Sequence, residues 1–205
     1  MFIRTERSVQ QFVRNYPVVT TLIIIHIVVW SLIAFFKHSL GMYVYNFGVG
    51  NNFLVHQGEY WRLLTPIFIH VGFGHMLFNS FALVLFGPAL EQMTGKVTFI
   101  TAYIATGLAG NIGTYVINPT SLYTHVGASG AIYGLLGIYI YMTFFRKDLI
   151  DSTSSQIVRT IFIIGLILSF LRTNVNIAAH IFGFIIGFAI APIILKRAMP
   201  FFNRF

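Results

Sequence analysis

Six stretches of this chain are apolar, nearly free of charge and close to the length that crosses a hydrocarbon core. Spanning about 30 Å of hydrocarbon takes about 20 helical residues. In that medium each backbone amide must be satisfied within its own segment, so an open sheet or irregular chain is excluded. The stretches cover residues 18–36, 73–92, 97–117, 127–145, 156–171 and 175–195, and the fifth is short. The predicted fold class is an all-α membrane protein, a bundle of six transmembrane helices with a long outer loop, 37–71, between the first two. Residues 1–17 read as a short basic cytoplasmic tail, 18–195 as the membrane domain and 196–205 as a basic cytoplasmic C-terminal tail.

Composition supports this solvent. Of 205 residues 57% are apolar and 9% charged, whereas soluble domains carry about 25% charged residues. The net charge of +8 forms no patch of the kind that reads nucleic acid. The basic residues sort by side instead. With the N-terminus inside, Arg4, Arg7, Arg14, Lys96, Arg146, Lys147, Arg159, Lys196, Arg197 and Arg204 fall inside, while Lys37, Arg62 and Arg172 fall outside. Ten against three places both termini in the cytoplasm. The first span reads as an uncleaved signal anchor, since no small-residue cleavage site follows it. Phe2, Val9, Phe12 and Val13 before it read as a frayed tail rather than an interfacial helix.

In this topology spans two, four and six all run inward. His75 lies near the start of span two, Ser129 of span four and His180 of span six. At about 1.5 Å per residue each lies within roughly 10 Å of the outer end of its helix. Ionisable groups in lipid are costly and point to function. His75 and Asn79 share a face, as do Ser129 and Tyr133. Gly183 and Gly187 flank the His180 face, and Gly130, Gly134 and Gly137 line span four. Such small residues let two membrane helices approach closely, which would bring His180 to the Ser129 hydroxyl. A histidine can take the proton that leaves a serine a weak nucleophile. His75, the Asn79 amide and the Ser129 backbone N–H are candidate donors to an oxyanion. No acidic residue shares this depth, so a Ser–His dyad is expected, with Tyr133 orienting the imidazole by ring packing or a hydrogen bond.

Taken together, Gly127-Ala128-Ser129-Gly130 with Tyr133, Ala179-His180 with Gly183 and Gly187, and His75-Met76-Leu77-Phe78-Asn79 resemble the rhomboid intramembrane serine proteases. Trp61-Arg62 in the first loop and Glu91 at the end of span two also fit. The resemblance runs from the first loop to the sixth span. It implies a water-filled cavity open to the outside, with Ser129 as nucleophile, His180 as general base and His75 and Asn79 as oxyanion donors. It also implies that Trp61-Arg62 belongs to a structural loop partly embedded in the outer leaflet. The implied partners are single-span transmembrane protein substrates in a lipid bilayer, cut in or near the outer part of the span, with entry beside span five. The implied location is the cell membrane, with the active site towards the outer face.

Other polar residues have plainer readings. His70 is read as a structural residue of the loop, His26 as a helix-packing hydrogen bonder, and Glu91 as a structural hydrogen bonder at the inner end. Gly107, Gly110 and Gly113 read as helix packing, and His38, His56 and His125 as outer-loop residues with little signal. No cofactor or metal is expected. Cysteine is absent, and the H-E-x-x-H pattern of an intramembrane metalloprotease does not occur. The alternative function is a non-catalytic rhomboid-like binder or chaperone of membrane segments, in which loss of the serine or histidine is expected. A transporter would show repeats or a charged pathway, and neither is found.

Overall fold

The computed structural model describes residues 8–172 and 175–200, so Phe2, Arg4, Arg7 and Arg204 and the outer parts of both tails lie outside the described residues. Nine α-helices follow one another among the described residues: α1 Val9–Asn15, α2 Pro17–Phe35, α3 Leu40–Gly48, α4 Asn52–His56, α5 Phe73–Thr94, α6 Lys96–Ile117, α7 Ser129–Phe145, α8 Ser152–Leu171 and α9 Ile177–Ile194. Two short strands, β1 Gly50–Asn51 and β2 Thr124–His125, pair antiparallel with Gly50 opposite His125. Helices α2, α5, α6, α8 and α9 are long and apolar enough to cross a membrane, and α7 is a shorter apolar helix. The architecture is an all-α bundle of apolar helices, as the hydropathy predicts.

Helix α7 is the centre. From Gly130 to Tyr139 every residue is buried, because α5, α6, α8 and α9 pack around it. Its 17 residues rise about 25 Å, less than the hydrocarbon thickness. Helix α9 lies against it almost backbone to backbone. A Cβ placed on Gly183 would collide with the Gly130 carbonyl oxygen, and one on Gly187 with that of Gly134. Helix α6 approaches α9 as closely: a Cβ on Gly110 would lie 2.6 Å from the Ala179 oxygen.

Several boundaries depart from the hydropathy reading for polar reasons. Helix α8 begins at Ser152, four residues before the expected start, because the Asp151 side chain accepts the Ser154 N–H at 3.0 Å and caps a serine-rich first turn. The fifth span is therefore 20 residues long rather than short. Helix α7 begins at Ser129, not Gly127, whose φ of 121° stands in the region that favours glycine. Residues Val9–Asn15 form a helix capped by Ser8, correcting the frayed-tail reading for Val9, Phe12 and Val13.

Glu91 stitches α5 to the start of α2. Its two carboxylate oxygens accept the Val18 and Val19 N–H groups at 3.0 and 2.9 Å. Those amides belong to the first turn behind Pro17, where a helix has no partners of its own, and the positive end of its dipole favours a carboxylate. His26 bonds to Ser80 at 3.4 Å and Tyr103 at 3.3 Å, joining α2, α5 and α6 as a helix-packing residue.

Loop 37–71 is structured throughout. Arg62 sits on a short 3₁₀ turn, Tyr60–Leu63, and is buried. Its guanidinium donates to the Asn46 and Val49 carbonyls at 2.8 Å each and pairs with Glu59. Trp61 donates its indole N–H to the Phe47 carbonyl at 3.0 Å and stacks on the Phe47 ring at 5.3 Å. Asn111 of α6 holds the Leu63 carbonyl at 2.8 Å. Trp61 and Arg62 thus fix the loop to itself, and α6 fixes the loop to the bundle.

Candidate active site

The N-terminal ends of α5, α7 and α9 meet at one end of the bundle, and each brings polar side chains. Ser129 opens α7, His180 is the fourth residue of α9, and His75 and Asn79 stand on the first turns of α5. His180 Nε2 lies 2.8 Å from Ser129 Oγ. The His180 ring is stacked on the Tyr133 ring, with centroids 4.1 Å apart and planes at 12°. Tyr133 stands one turn below Ser129 on α7, so one helix supplies both the hydroxyl and the platform that orients the imidazole. His180 is 6% exposed, while Ser129 is half-buried at the opening. A buried pair facing an open hydroxyl can pass a proton while a carbonyl approaches from the accessible side.

His75 and Asn79 are placed differently from each other. The exposed His75 ring lies over Gly127, where an added Cβ would come within 2.6 Å of two ring atoms. Gly127 therefore serves both the backbone turn and the close approach of His75. Asn79 is buried and donates to its own helix, to the His75 carbonyl at 2.8 Å. One amide hydrogen is committed there, and the second is left for another acceptor.

The turn before Ser129 is held from the first loop. Gly127 N–H donates to the Pro66 carbonyl at 2.9 Å, and Ala128 N–H to His70 Nε2 at 3.4 Å. His70 is fully buried between the rings of His26 and His75, at 4.6 and 5.1 Å. Burial, with His26 and His75 close by, holds its pKa far below the ordinary value, so it stays neutral and can accept that amide. It is the loop residue the sequence suggests, and it also holds the turn before Ser129. The Ala128 amide is consequently engaged, which leaves the first N–H groups of α7 as the backbone donors beside Ser129.

The sequence does not mark one residue of the site. Ser169 of α8 lies 2.9 Å from His180 Nδ1 and 2.9 Å from the Tyr133 hydroxyl. Its signal was faint: it is the lone polar side chain in the run Ile161–Leu171, with a glycine four residues before it. Among the described residues, no group of three or more His, Cys, Asp or Glu is arranged to hold a metal ion.

The rhomboid domain profile matches residues 57–197. The chain belongs to the rhomboid family. It is 44% identical over 202 residues to YdcA of Bacillus subtilis (strain 168), described by name as a rhomboid protease, covering 96% of this chain and 98% of that protein. It is 40% identical over 159 residues to the rhomboid protease GluP of the same organism, covering 77% of this chain but 31% of GluP. The RHOMBOID-like protein 5 of Arabidopsis thaliana is 34% identical over 145 residues, 70% of this chain and 47% of its own length. The rhomboid match extends from just before Trp61-Arg62 to just beyond α9, so it contains every residue of the site above.

Proposed function

We propose that this rhomboid is an intramembrane serine endopeptidase that cuts single-span transmembrane proteins in or near the outer part of their span. The observation that carries the reading is the 2.8 Å contact between His180 Nε2 and Ser129 Oγ inside an apolar bundle. A non-catalytic binder of membrane segments has no need of a serine hydroxyl held on the lone pair of a stacked, buried imidazole.

In this mechanism His180 takes the Ser129 proton as Oγ attacks the scissile carbonyl, and an acyl-enzyme forms. The oxyanion develops beside the start of α7, where unpartnered backbone N–H groups and the helix dipole favour negative charge. His75 and the free amide hydrogen of Asn79 supply further donors from α5. His180 then protonates the leaving amine, and a water activated by the same imidazole releases the acyl group. Ser129 is half-buried at the site's opening, where water can arrive without crossing lipid.

Reconstitution in liposomes with a single-span model substrate tests this. Ser129→Ala and His180→Ala are each expected to cut the rate to less than about 1% of wild type, with unchanged helical circular dichroism. A fluorophosphonate probe should label the wild-type protein and not Ser129→Ala. Cleavage that survives either substitution would falsify the dyad.

A further inference from the structure

The Ser169 hydroxyl is 4% exposed and has three partners. It lies 2.8 Å from the Gly165 carbonyl oxygen, 2.9 Å from the Tyr133 hydroxyl and 2.9 Å from His180 Nδ1. A serine hydroxyl has one proton and two lone pairs. The Gly165 carbonyl can only accept, so the single proton goes to it in the bond a helical serine makes to the residue four before it. Both lone pairs must then be filled by donors. Three simultaneous hydrogen bonds thus require the Tyr133 phenolic proton on one and an Nδ1 proton of His180 on the other. A neutral imidazole with its proton on Nδ1 carries its lone pair on Nε2, the atom facing Ser129 at 2.8 Å.

We propose that Ser169 is a positioning residue for His180, the neutral third member of a Ser129–His180–Ser169 relay. It fixes the imidazole tautomer and ring orientation without placing a carboxylate in the bundle. A buried ionised carboxylate would carry a large desolvation cost in this apolar setting. A hydroxyl locked by its helix supplies the same acceptor geometry at no such cost. The Nδ1 proton stays in place through the reaction while Nε2 gains and loses the Ser129 proton. When the imidazole becomes a cation, Ser169 still accepts from Nδ1, and the Tyr133 ring 4.1 Å away presents the face that attracts a cation.

The surroundings are shaped for this contact. Gly165 lacks a side chain where a Cβ would lie 2.8 Å from the Tyr133 hydroxyl, so the phenol can reach Ser169. On α8 the buried residues are Ser154, Val158 and Ser169. At its C-terminal end this helix therefore meets the bundle through the residue that holds the catalytic imidazole. A shift of α8 away from α9 removes the acceptor from Nδ1, which couples the position of α8 to the competence of the base.

The inference rests on the dyad reading, and its test separates the two. Ser169→Thr and Ser169→Val have nearly the same shape and differ in the hydroxyl. Ser169→Thr is expected to keep kcat within about 3-fold of wild type. Ser169→Val is expected to lower kcat by about 10- to 100-fold, the size of a hydrogen bond to a charged group, with KM changed less than about 2-fold. Equal kcat for the two variants overturns the proposal. A second measurement needs no variant at Ser169: the ¹⁵N signals of His180 in wild-type protein, assigned by their loss in His180→Ala, should report the Nδ1–H tautomer above pH 7. An Nε2–H tautomer overturns the proposal even if Ser169→Val does not fold. Cleavage by Ser129→Ala would sink the dyad instead, and the tautomer result would stand apart from it.

Discussion

Burial holds the imidazole of His125 neutral, with a pKa lowered from 6.5 to about 4. The ring is 7% exposed, packs over the Gly50 backbone, and neither ring nitrogen has a hydrogen-bond partner among the described residues. Because the folded pKa is depressed, the unfolded chain binds a proton near pH 6.5 while the folded one resists until about pH 4. The contribution is therefore intact above pH 6.5 and is lost as the pH falls towards 4. The loss amounts to about 3 kcal/mol at pH 4. In His125→Gln the fall in stability between pH 7 and pH 4 should shrink by about that amount, as read by denaturation in detergent at both pH values. Identical pH dependence in wild type and variant would show that His125 does not titrate on unfolding. The sequence assigns His125 little weight, because its burial depends on a strand pairing between distant segments, Asn51 with Thr124 and Gly50 with His125, 73 and 75 positions apart. Ser129, His180, His75 and Asn79 were legible for the opposite reason. Each is a polar residue inside an apolar run, where its cost in lipid marks it without any knowledge of its neighbours. Ser169 has the same setting, but a hydroxyl can satisfy itself on its own helix, so its pairing with His180 emerges only in three dimensions.

At the scale of the elements, the contact that assembles the site is the approach of α9 to α7. Gly187 is the strictest point, since a Cβ there runs into the Gly134 carbonyl oxygen, and backbone cannot swing aside as a side chain can. Overpacking of this kind costs about 1–3 kcal/mol or more, and here it also separates His180 from Ser129. Gly187→Ala is therefore expected to lower both the melting temperature and the cleavage rate. Gly74→Ala, at a helical glycine with nothing within 4 Å of the added carbon, should leave the melting temperature unchanged or raise it slightly, since alanine favours helix by about 1 kcal/mol over glycine. Equal melting temperatures for the two variants would exclude close packing as the role of Gly187. The spacing of Gly183 and Gly187 announces such an approach in the sequence, because small residues at one helical face have few other uses in lipid. The internal structure of loop 37–71 could not be read that way. It is built from long-range polar contacts such as Asn52 Nδ2 to the Asn118 carbonyl at 2.8 Å and Arg62 to two loop carbonyls, which leave no periodicity. The starts of α2 and α8 were blurred by capping, since Glu91 and Asp151 stabilise first turns that hydropathy alone does not mark.

For the molecule as a whole, the orientation in the membrane decides which side of the cell the site serves. The topology read from the sequence assigns ten basic residues to one side and three to the other, and it predicts that the richer side is cytoplasmic because positively charged loops resist translocation. The loop between α6 and α7, residues 118–128, leads directly into Ser129, so its side of the membrane is the side of the dyad. The loop between α7 and α8 carries Arg146 and Lys147 and lies at the opposite end. Arg146 there donates to the Leu195 carbonyl at 2.7 Å and pairs with Asp148 at 2.8 Å, which ties α9's exit to the same basic end. The chain contains no cysteine, so single reporters can be introduced without background. Thr120 and Lys147 are both exposed. Thr120→Cys should react with a membrane-impermeant maleimide in intact cells, and Lys147→Cys only after permeabilisation. The reverse pattern would turn the site towards the cytoplasm, and substrates would then have to be cut at the inner part of their spans. The two outcomes also differ in the product: an outward-facing dyad frees a substrate's outer domain into the medium, and Ser129→Ala must abolish that release.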